Sequence, residues 1–526
     1  MSFAPLRHEL HHGRLVPCHA DRPANVFAMF LDAVRVAPER AALVDGERRL
    51  SYGELAELAG RCASRMEAMG VAAGDRVGVL LDNRIDFLVV VLAAAALGAV
   101  SVPMNIRQRR PETAYALADA GAVLLFHEAA LADQIPGEAE VPTLRGRIAV
   151  DDEAHAWDGG AMSETRAAPV AEDDPFCIMY TSGTTGRPKG AVLTHLNVVT
   201  SCLGAVEHLG LNQGEVGILS VPASHVTGLI LVLLVSVRVA GTVVLQRGFK
   251  ARRFLELAEK ERLTYAIMVP AMYSLCQLEE DYDRFDLSAW RVGAYGGAPM
   301  PEALVETLGV KHPQLRLVNI YGATETTSPA VMMPAGKALS HRAKLGTPLR
   351  YADIRIMGDD GRECAPGEQG EIWMAGPMVI PGYWNNPEVT EGAFAGGYWK
   401  SGDLGAIDAE GYLQLFDRKK DMINRGGFKV YSVEVENLLM SHPAVVEVGV
   451  VGRPCPVLGE RVEAFVVTMR DIAEAELRAY CSERLSDYKV PDHIIRVEGA
   501  LPRNANGKLL KSELRARLEK KDEAAP

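Results

Sequence analysis

The sequence predicts an α/β protein. It has a large N-terminal domain of mixed and parallel sheets flanked by helices, with a β-rich subdomain, and a small α+β C-terminal domain. Three observations predict this. Strand and helix signals alternate over residues 40–105 and again after His195. From Ile354 the texture changes to short strands between Gly/Pro turns, among them Pro366-Gly367 and Pro381-Gly382. Beyond the charged run Asp417–Asp421, the remaining residues carry an αβ pattern of their own.

The elements follow in order. The opening MSFAPLRHELHHGRL has no apolar core and is no secretory signal. His8–His12 matches HExxH, but zinc chemistry needs both histidines on one face of a stable helix plus a third ligand. Pro5 and Gly13 bracket too short a segment, so it reads as a solvated stretch. Ser51-Tyr52-Gly53-Glu54 has capping-box spacing and opens a helix through about Met69. Gly74-Asp75 turns into a strand, Arg76–Leu81; a helix runs over 86–98, and a strand over Val100–Met104. This βαβ punctuation implies a largely parallel sheet. The longest apolar run, Phe87–Val100, is short of the roughly 20 residues of a membrane helix. Residues 130–172 look like a loop-rich connection. Phe176–Tyr180 is a strand, Leu229–Val237 a buried helix, and Gly241–Gln246, Tyr265–Val269, Trp290–Tyr295 and Leu315–Ile320 are further strands. The C-terminal pattern places helices at Ser432–Ser441 and Ala473–Leu485, and the charged Leu518–Pro526 reads as disordered. The domain limits are 1–417, with the β-rich part at about 340–416, a hinge at 418–420, and 421–526.

Bulk properties narrow the function. At 526 residues the chain exceeds one core of about 100–200 residues. A net charge of −12 argues against nucleic-acid or anionic-membrane partners, which need a basic face. Eight scattered cysteines, none at CxxC spacing, indicate reduced thiols in a cytoplasmic protein rather than a disulfide frame or zinc site.

The densest chemistry lies in Tyr180–His195, YTSGTTGRPKGAVLTH. Thr181, Ser182, Thr184 and Thr185, with Gly183, Gly186 and Gly190, surround Lys189. Glycines let backbone N–H groups approach a ligand, and hydroxyls and lysine bind phosphate. This is a polyphosphate loop. It is not a Walker loop, because Pro188 precedes Lys189 and Gly190 follows it. Five further segments are weaker alone. Tyr321–Thr327 places Glu325 among hydroxyls, either for Mg²⁺ or as a helix cap. Asp403 on Ser401-Gly402-Asp403 suits a ribose diol or an Asx turn. Arg418 is a second ribose contact or a solvated charge. LPRNANGK presents Lys508 on a loop, where it could neutralise a reacting phosphate or simply face solvent. His225 precedes an apolar helix as a ligand-side or a packed histidine.

Taken together and in this order, YTSGTTGRPKGAVLTH, Tyr321–Thr327, Tyr398–Asp403, Asp417–Val430 and LPRNANGK resemble the adenylate-forming superfamily of acyl-CoA synthetases, peptide-synthetase adenylation domains and luciferases. The resemblance runs from about Pro23 to Leu518. It implies a mobile C-terminal domain and a two-step reaction. A carboxylate attacks the α-phosphate of ATP, releasing pyrophosphate, and a thiol, usually of coenzyme A, then displaces AMP. It further implies that Thr181, Ser182, Gly183, Thr184, Thr185 and Lys189 cradle the β- and γ-phosphates. Glu325 would hold Mg²⁺ and Thr324 would touch the α-phosphate. Tyr321 and Gly322 would lie near the adenine, stacked by Gly296, Gly297 and Ala298. Asp403 and Arg418 would bind ribose, and Lys508 would bridge carboxylate and α-phosphate. Lys420 aligns with the hinge, and Gly426 and Gly427 with the pantetheine tunnel. His225 would gate an acyl pocket of Thr227, Tyr295, Gly296, Ala323 and Ser328.

The resemblance favours a stand-alone acyl-CoA synthetase. An adenylation domain usually has an aspartate where His225-Val226-Thr227 stands, and no carrier domain follows here. A luciferase would carry a Ser-Lys-Leu end in place of Glu-Ala-Ala-Pro. A non-enzymatic binding module would have lost Lys508 or Glu325. The neutral pocket, with no arginine for a second carboxylate, favours a medium- or long-chain fatty acid. An aryl or cycloaliphatic acid is the alternative, and loading of a carrier protein another. The expected partners are small molecules only, with no integral membrane segment, and a homodimer is allowed.

Overall fold

The computed structural model describes residues 5–151, 168–181, 187–298, 300–504 and 507–523. The chain forms two compact units. One comprises residues 1–354 and 374–400, the other 355–373 and 401–526.

Two large sheets dominate the first unit. A six-stranded sheet runs in the order Lys189–Thr194, Pro175–Thr181, Val100–Pro103, Arg76–Leu80, Ala122–His127, Gly146–Ala149. All its neighbours are parallel except the first pair, a hairpin. A nine-stranded sheet has a parallel centre of Arg316–Tyr321, Val292–Gly296, Tyr265–Met268, Val216–Leu219, Thr242–Leu245 and Ala41–Asp45. Parallel strands need covered faces, and helices supply the cover. Ile85–Leu97 is apolar on every side, and its residues from Ile85 to Ala96 are all buried. The predicted capping box forms at Ser51 and Glu54 and starts the helix Tyr52–Ala68.

Several sequence readings change. The HExxH stretch is solvent-facing, as expected, but it is mostly a strand, Leu6–His11, paired with Arg14–His19 around the Gly13 turn. A strand cannot give the i, i+4 helical ligand face, so that metal reading lapses. The helix His195–Leu209 went unread, although Thr194 and Asn197 cap it reciprocally. The Leu229–Val237 segment is a π-helix, Thr227–Leu234, followed by a short α-helix, Val235–Arg238. π-Turns are rare and gather at functional sites.

In the second unit, Gly459–Thr468 is central. It pairs antiparallel with Val445–Cys455 and parallel with His493–Arg496, over the helices Ser432–Met440 and Glu474–Ser482. Residues 401–417, read from sequence as part of the first domain, pack with this unit. The buried Asp417 accepts from the Ser432 backbone N–H at 2.5 Å and from its hydroxyl at 2.7 Å. The tail read as disordered is helical over Lys511–Glu523. Among the described residues, no helix is long and apolar enough to cross a membrane.

Candidate functional site

The phosphate-loop stretch joins two antiparallel strands, and Lys189 pairs directly with Thr181 at its mouth. Ser182, Gly183, Thr184 and Thr185 lie outside the described residues. The helix Arg110–Ala120 anchors both ends of the loop. The Tyr180 hydroxyl donates to Asp119 at 2.6 Å, and the Tyr115 hydroxyl donates to the carbonyl of Pro188 at 3.1 Å. Burial and the Asp119 carboxylate push the Tyr180 phenol well up, so it stays a donor. Asp119→Ala strands that donor. The expected cost is about 1–3 kcal/mol of stability, to be read as a lowered midpoint in urea unfolding; an unchanged midpoint means the anchor carries no load.

Glu325 sits on a single 3₁₀ turn, Thr324–Thr326, directly after the strand Arg316–Tyr321. The cap is made by Thr326, whose hydroxyl accepts from the Ala323 N–H at 2.9 Å, which leaves the Glu325 carboxylate uncommitted to capping. Thr327 and Ser328 take positive φ values of 49° and 25°, uncommon for residues other than glycine, so the turn is tightly specified. Glu325 Oε1 accepts from Tyr383 at 3.0 Å and lies 3.5 Å from the Thr181 hydroxyl. Strand pairing joins Thr181 and Lys189, and the Glu325 turn reaches them through the Thr181 hydroxyl. Glu325 and Thr181 offer hard oxygens of the kind Mg²⁺ takes when phosphates supply its other ligands, and Lys189 offers a cation to those phosphates.

Beside that turn, Gly296 ends the neighbouring strand Val292–Gly296, paired with Ile320. Gly297 has φ 77° and, with Ala298, is exposed. Tyr321, Gly322 and Ala323 are half-buried and Thr324 is buried. His225 is half-buried. Its Nδ1 accepts from the Thr227 N–H at 3.2 Å, so the ring proton sits on Nε2. Desolvation pulls it down to about 4, and it is neutral at pH 7. Tyr295 is only 2% exposed, and Ser328 is buried.

The second unit assembles its own set. Asp403 pairs with Arg418 across a hairpin, with the guanidinium 3.2 Å from the carboxylate. The Asp403 N–H donates to Ser401, and that of Gly402 to Glu371. Lys508 is held by a closed loop. Its N–H donates to the Asn504 side chain at 2.9 Å, its carbonyl accepts from the Asn504 N–H at 2.9 Å, and Gly507 turns at φ 80°. Although the residue is exposed, its ammonium is lowered to about 8, first by desolvation and then by Arg418. Asp403, Lys420 and Asp421 act on the same ammonium. Gly426 and Gly427 are exposed, at φ 60° and 90°.

Sequence reasoning passed over Tyr115, Asp119 and Tyr383. The last had a signal in the sequence, the aromatic pair Tyr383-Trp384 directly after the Pro381-Gly382 turn.

A family model for AMP-binding enzymes matches residues 30–384, and one for the C-terminal domain of AMP-binding enzymes matches 434–508. The chain is 35% identical over 498 residues to the long-chain-fatty-acid–CoA ligase FadD13 of Mycobacterium tuberculosis, covering 93% of this chain and 98% of that protein. It is 36% identical over 486 residues to a feruloyl-CoA synthase of an Amycolatopsis species, covering 92% and 97%. Among solved structures, the o-succinylbenzoate CoA synthetase of Bacillus subtilis with its acyl-adenylate intermediate superposes with a TM-score of 0.83, at 32% identity and coverage of 93% and 97%. The chain belongs to the AMP-binding enzyme family, the adenylate-forming superfamily. Within it, this is an AMP-forming acid–thiol ligase of the acyl-CoA synthetase class.

Proposed function

We propose that the chain converts a compact aromatic monocarboxylic acid to its coenzyme A thioester through an acyl-adenylate. Thr181, Lys189 and the loop hydroxyls hold the β- and γ-phosphates of ATP. Mg²⁺, taken up by Glu325, supplies charge neutralisation on those phosphates. Asp403 and Arg418 bind the ribose, and Thr324 contacts the α-phosphate. The acid's carboxylate oxygen bonds to the α-phosphorus as the bond to pyrophosphate breaks. Lys508 stabilises the charge gathered there. The coenzyme A sulfur then bonds to the acyl carbon and AMP leaves. Lys420 serves as the hinge that changes the second unit's role between steps, and Gly426 and Gly427 accommodate pantetheine.

The observation that carries the choice of acid is the burial of Tyr295. A bulky phenol, only 2% exposed, at the strand end that bears Gly296 would shorten an acyl pocket built there. An aromatic ring against a tyrosine gains packing beyond its buried area. His225, neutral and proton-bearing at Nε2, supplies one hydrogen bond without pairing a second carboxylate. A medium- or long-chain fatty acid is the second reading, supported by the aliphatic helix face Leu229–Leu234, buried throughout.

A pyrophosphate-release screen over cinnamate- and benzoate-type acids and fatty acids of graded length decides. The aromatic acids are expected to exceed the long-chain acids in kcat/KM by about tenfold or more, the range one ill-fitting group commands. Tyr295→Ala is expected to narrow that gap. Fastest turnover on long-chain acids by the unaltered protein overturns the choice. Turnover of amino acids without coenzyme A overturns the class of acceptor.

A further inference from the structure

We propose that Tyr383 is a positioning residue that sets the Glu325 carboxylate and the Lys189 ammonium in register with each other. The inference rests on the reading of Glu325 as the Mg²⁺ carboxylate.

Tyr383 reaches both groups. Its hydroxyl donates to Glu325 Oε1 at 3.0 Å, and the Lys189 ammonium lies over its ring, 5.5 Å from the centroid. A ring face attracts a cation, while the phenol hydroxyl is drawn to the carboxylate. One rigid side chain therefore touches the anion and the cation on separate surfaces.

The direction of the phenol hydrogen is fixed as well. The Tyr383 hydroxyl is the donor to Glu325, and Trp399 lies beside the phenol. An ionised carboxylate can only accept, so the phenol proton is committed to Glu325. Trp399 is 7% exposed, which keeps water from competing for that position. Among the described residues, the hydrogen bonds to Glu325 fall on Oε1, leaving Oε2 for a cation.

The backbone around Tyr383 is fastened to the same two elements. The Trp384 N–H donates to the Gly190 carbonyl at 2.7 Å, the Val192 N–H to the Gly382 carbonyl at 3.2 Å, and Ala191 bridges Tyr383 antiparallel. The Ile380 N–H donates to the Glu325 carbonyl at 3.0 Å. Arg14 in turn holds the carbonyls of Ile380 and Pro381 at 2.9 and 3.2 Å. Gly190 is required by this contact, because a Cβ there would lie 2.8 Å from Ile178 and 3.3 Å from Trp384. The segment 380–384 is thus a strap across the phosphate strand and the Glu325 turn, with Tyr383 as its functional point.

The test is binding of ATP with Mn²⁺, read by the electron paramagnetic resonance of the ion, beside ATP binding in EDTA by calorimetry. The proteins are the unaltered chain, Tyr383→Phe, Glu325→Gln and the double variant. Tyr383→Phe keeps the ring under Lys189 and removes only the hydroxyl. It is expected to weaken Mn²⁺–ATP binding roughly tenfold, the usual scale for one hydrogen bond to a charge, and to leave ATP binding in EDTA unchanged. In the Glu325→Gln background the same change is expected to add less than about twofold. A merely structural tyrosine would weaken both kinds of binding alike. Unaltered Mn²⁺–ATP binding by Tyr383→Phe, or full additivity with Glu325→Gln, overturns the proposal. Unaltered binding by Glu325→Gln itself overturns the metal role of Glu325 instead. Should Tyr383→Phe fail to fold, Tyr383→Leu, which also removes the hydroxyl, is expected to move Mn²⁺–ATP binding in the same direction, and no change there counts against the proposal.

Discussion

Lys508→Ala is expected to lower adenylate formation by about 10²–10³-fold, the loss seen when one preorganised donor to a developing charge is removed. Thioester formation from supplied acyl-adenylate and coenzyme A is expected to stay within about threefold, because the α-phosphorus is no longer reacting. Measured separately, by ATP–pyrophosphate exchange and by thioester appearance, the two rates must part. Equal loss in both sinks the assignment. The free enzyme adds a pH signature. With its ammonium lowered to about 8, Lys508 is charged below that pH and neutral above it. The charged form is the useful one, so kcat/KM for ATP is expected to fall as pH rises through about 8, approaching tenfold per unit. Lys508→Arg, which stays charged, should lose activity overall but flatten that fall. A fall that persists unchanged in Lys508→Arg would place the titration elsewhere.

The contrast between strands and loops explains what could be read in advance. The parallel strands of the first unit were legible because each is a short apolar run closed by a turn, and the capping box at Ser51 announced its helix in three residues. The N-terminal hairpin was not. Its strand Leu6–His11 alternates mostly exposed and half-buried polar residues, so no apolar period marks it. The π-helix was hidden for the opposite reason. Thr227–Leu234 is apolar on all sides, and a uniform run carries no period to distinguish one winding from another. The grouping of 401–417 with the second unit depends on Asp417 reaching Ser432, a contact between distant residues that composition cannot report. At the site, Thr181, Lys189 and Glu325 were legible as residue types at telling spacings. Tyr383 was not, because its meaning lies in reaching Glu325 across 58 positions of sequence. Asp403 and Arg418 were likewise weak alone, and only the hairpin register brings them together as an ion pair.

Gly296→Ala is expected to be strongly damaging although it adds a single methyl group. An ideal Cβ at Gly296 would stand 2.3 Å from the backbone carbonyl oxygen of Ile320, its partner on the next parallel strand. A flexible side chain could yield, but a carbonyl inside a sheet cannot move without its strand. The two strands must therefore part at their carboxyl ends. Those ends carry Gly297 and Ala298 on one side and Tyr321, Thr324 and Glu325 on the other, so the displacement is delivered directly to the nucleotide-binding turns. Overpacking of this kind costs about 1–3 kcal/mol in stability, and a shift of about 1 Å in positioned groups costs on the order of 10²-fold in rate. ATP–pyrophosphate exchange is expected to drop by at least that factor while the protein remains folded by circular dichroism. Gly297→Ala is the matched control. Its Cβ would meet nothing closer than 3.8 Å, so it carries only the strain of φ 77°, about 1 kcal/mol, and should retain most of its exchange activity. If Gly296→Ala and Gly297→Ala lose activity equally, backbone conformation rather than the Ile320 carbonyl limits this turn, and the close approach of the two strands is not what holds the site in shape.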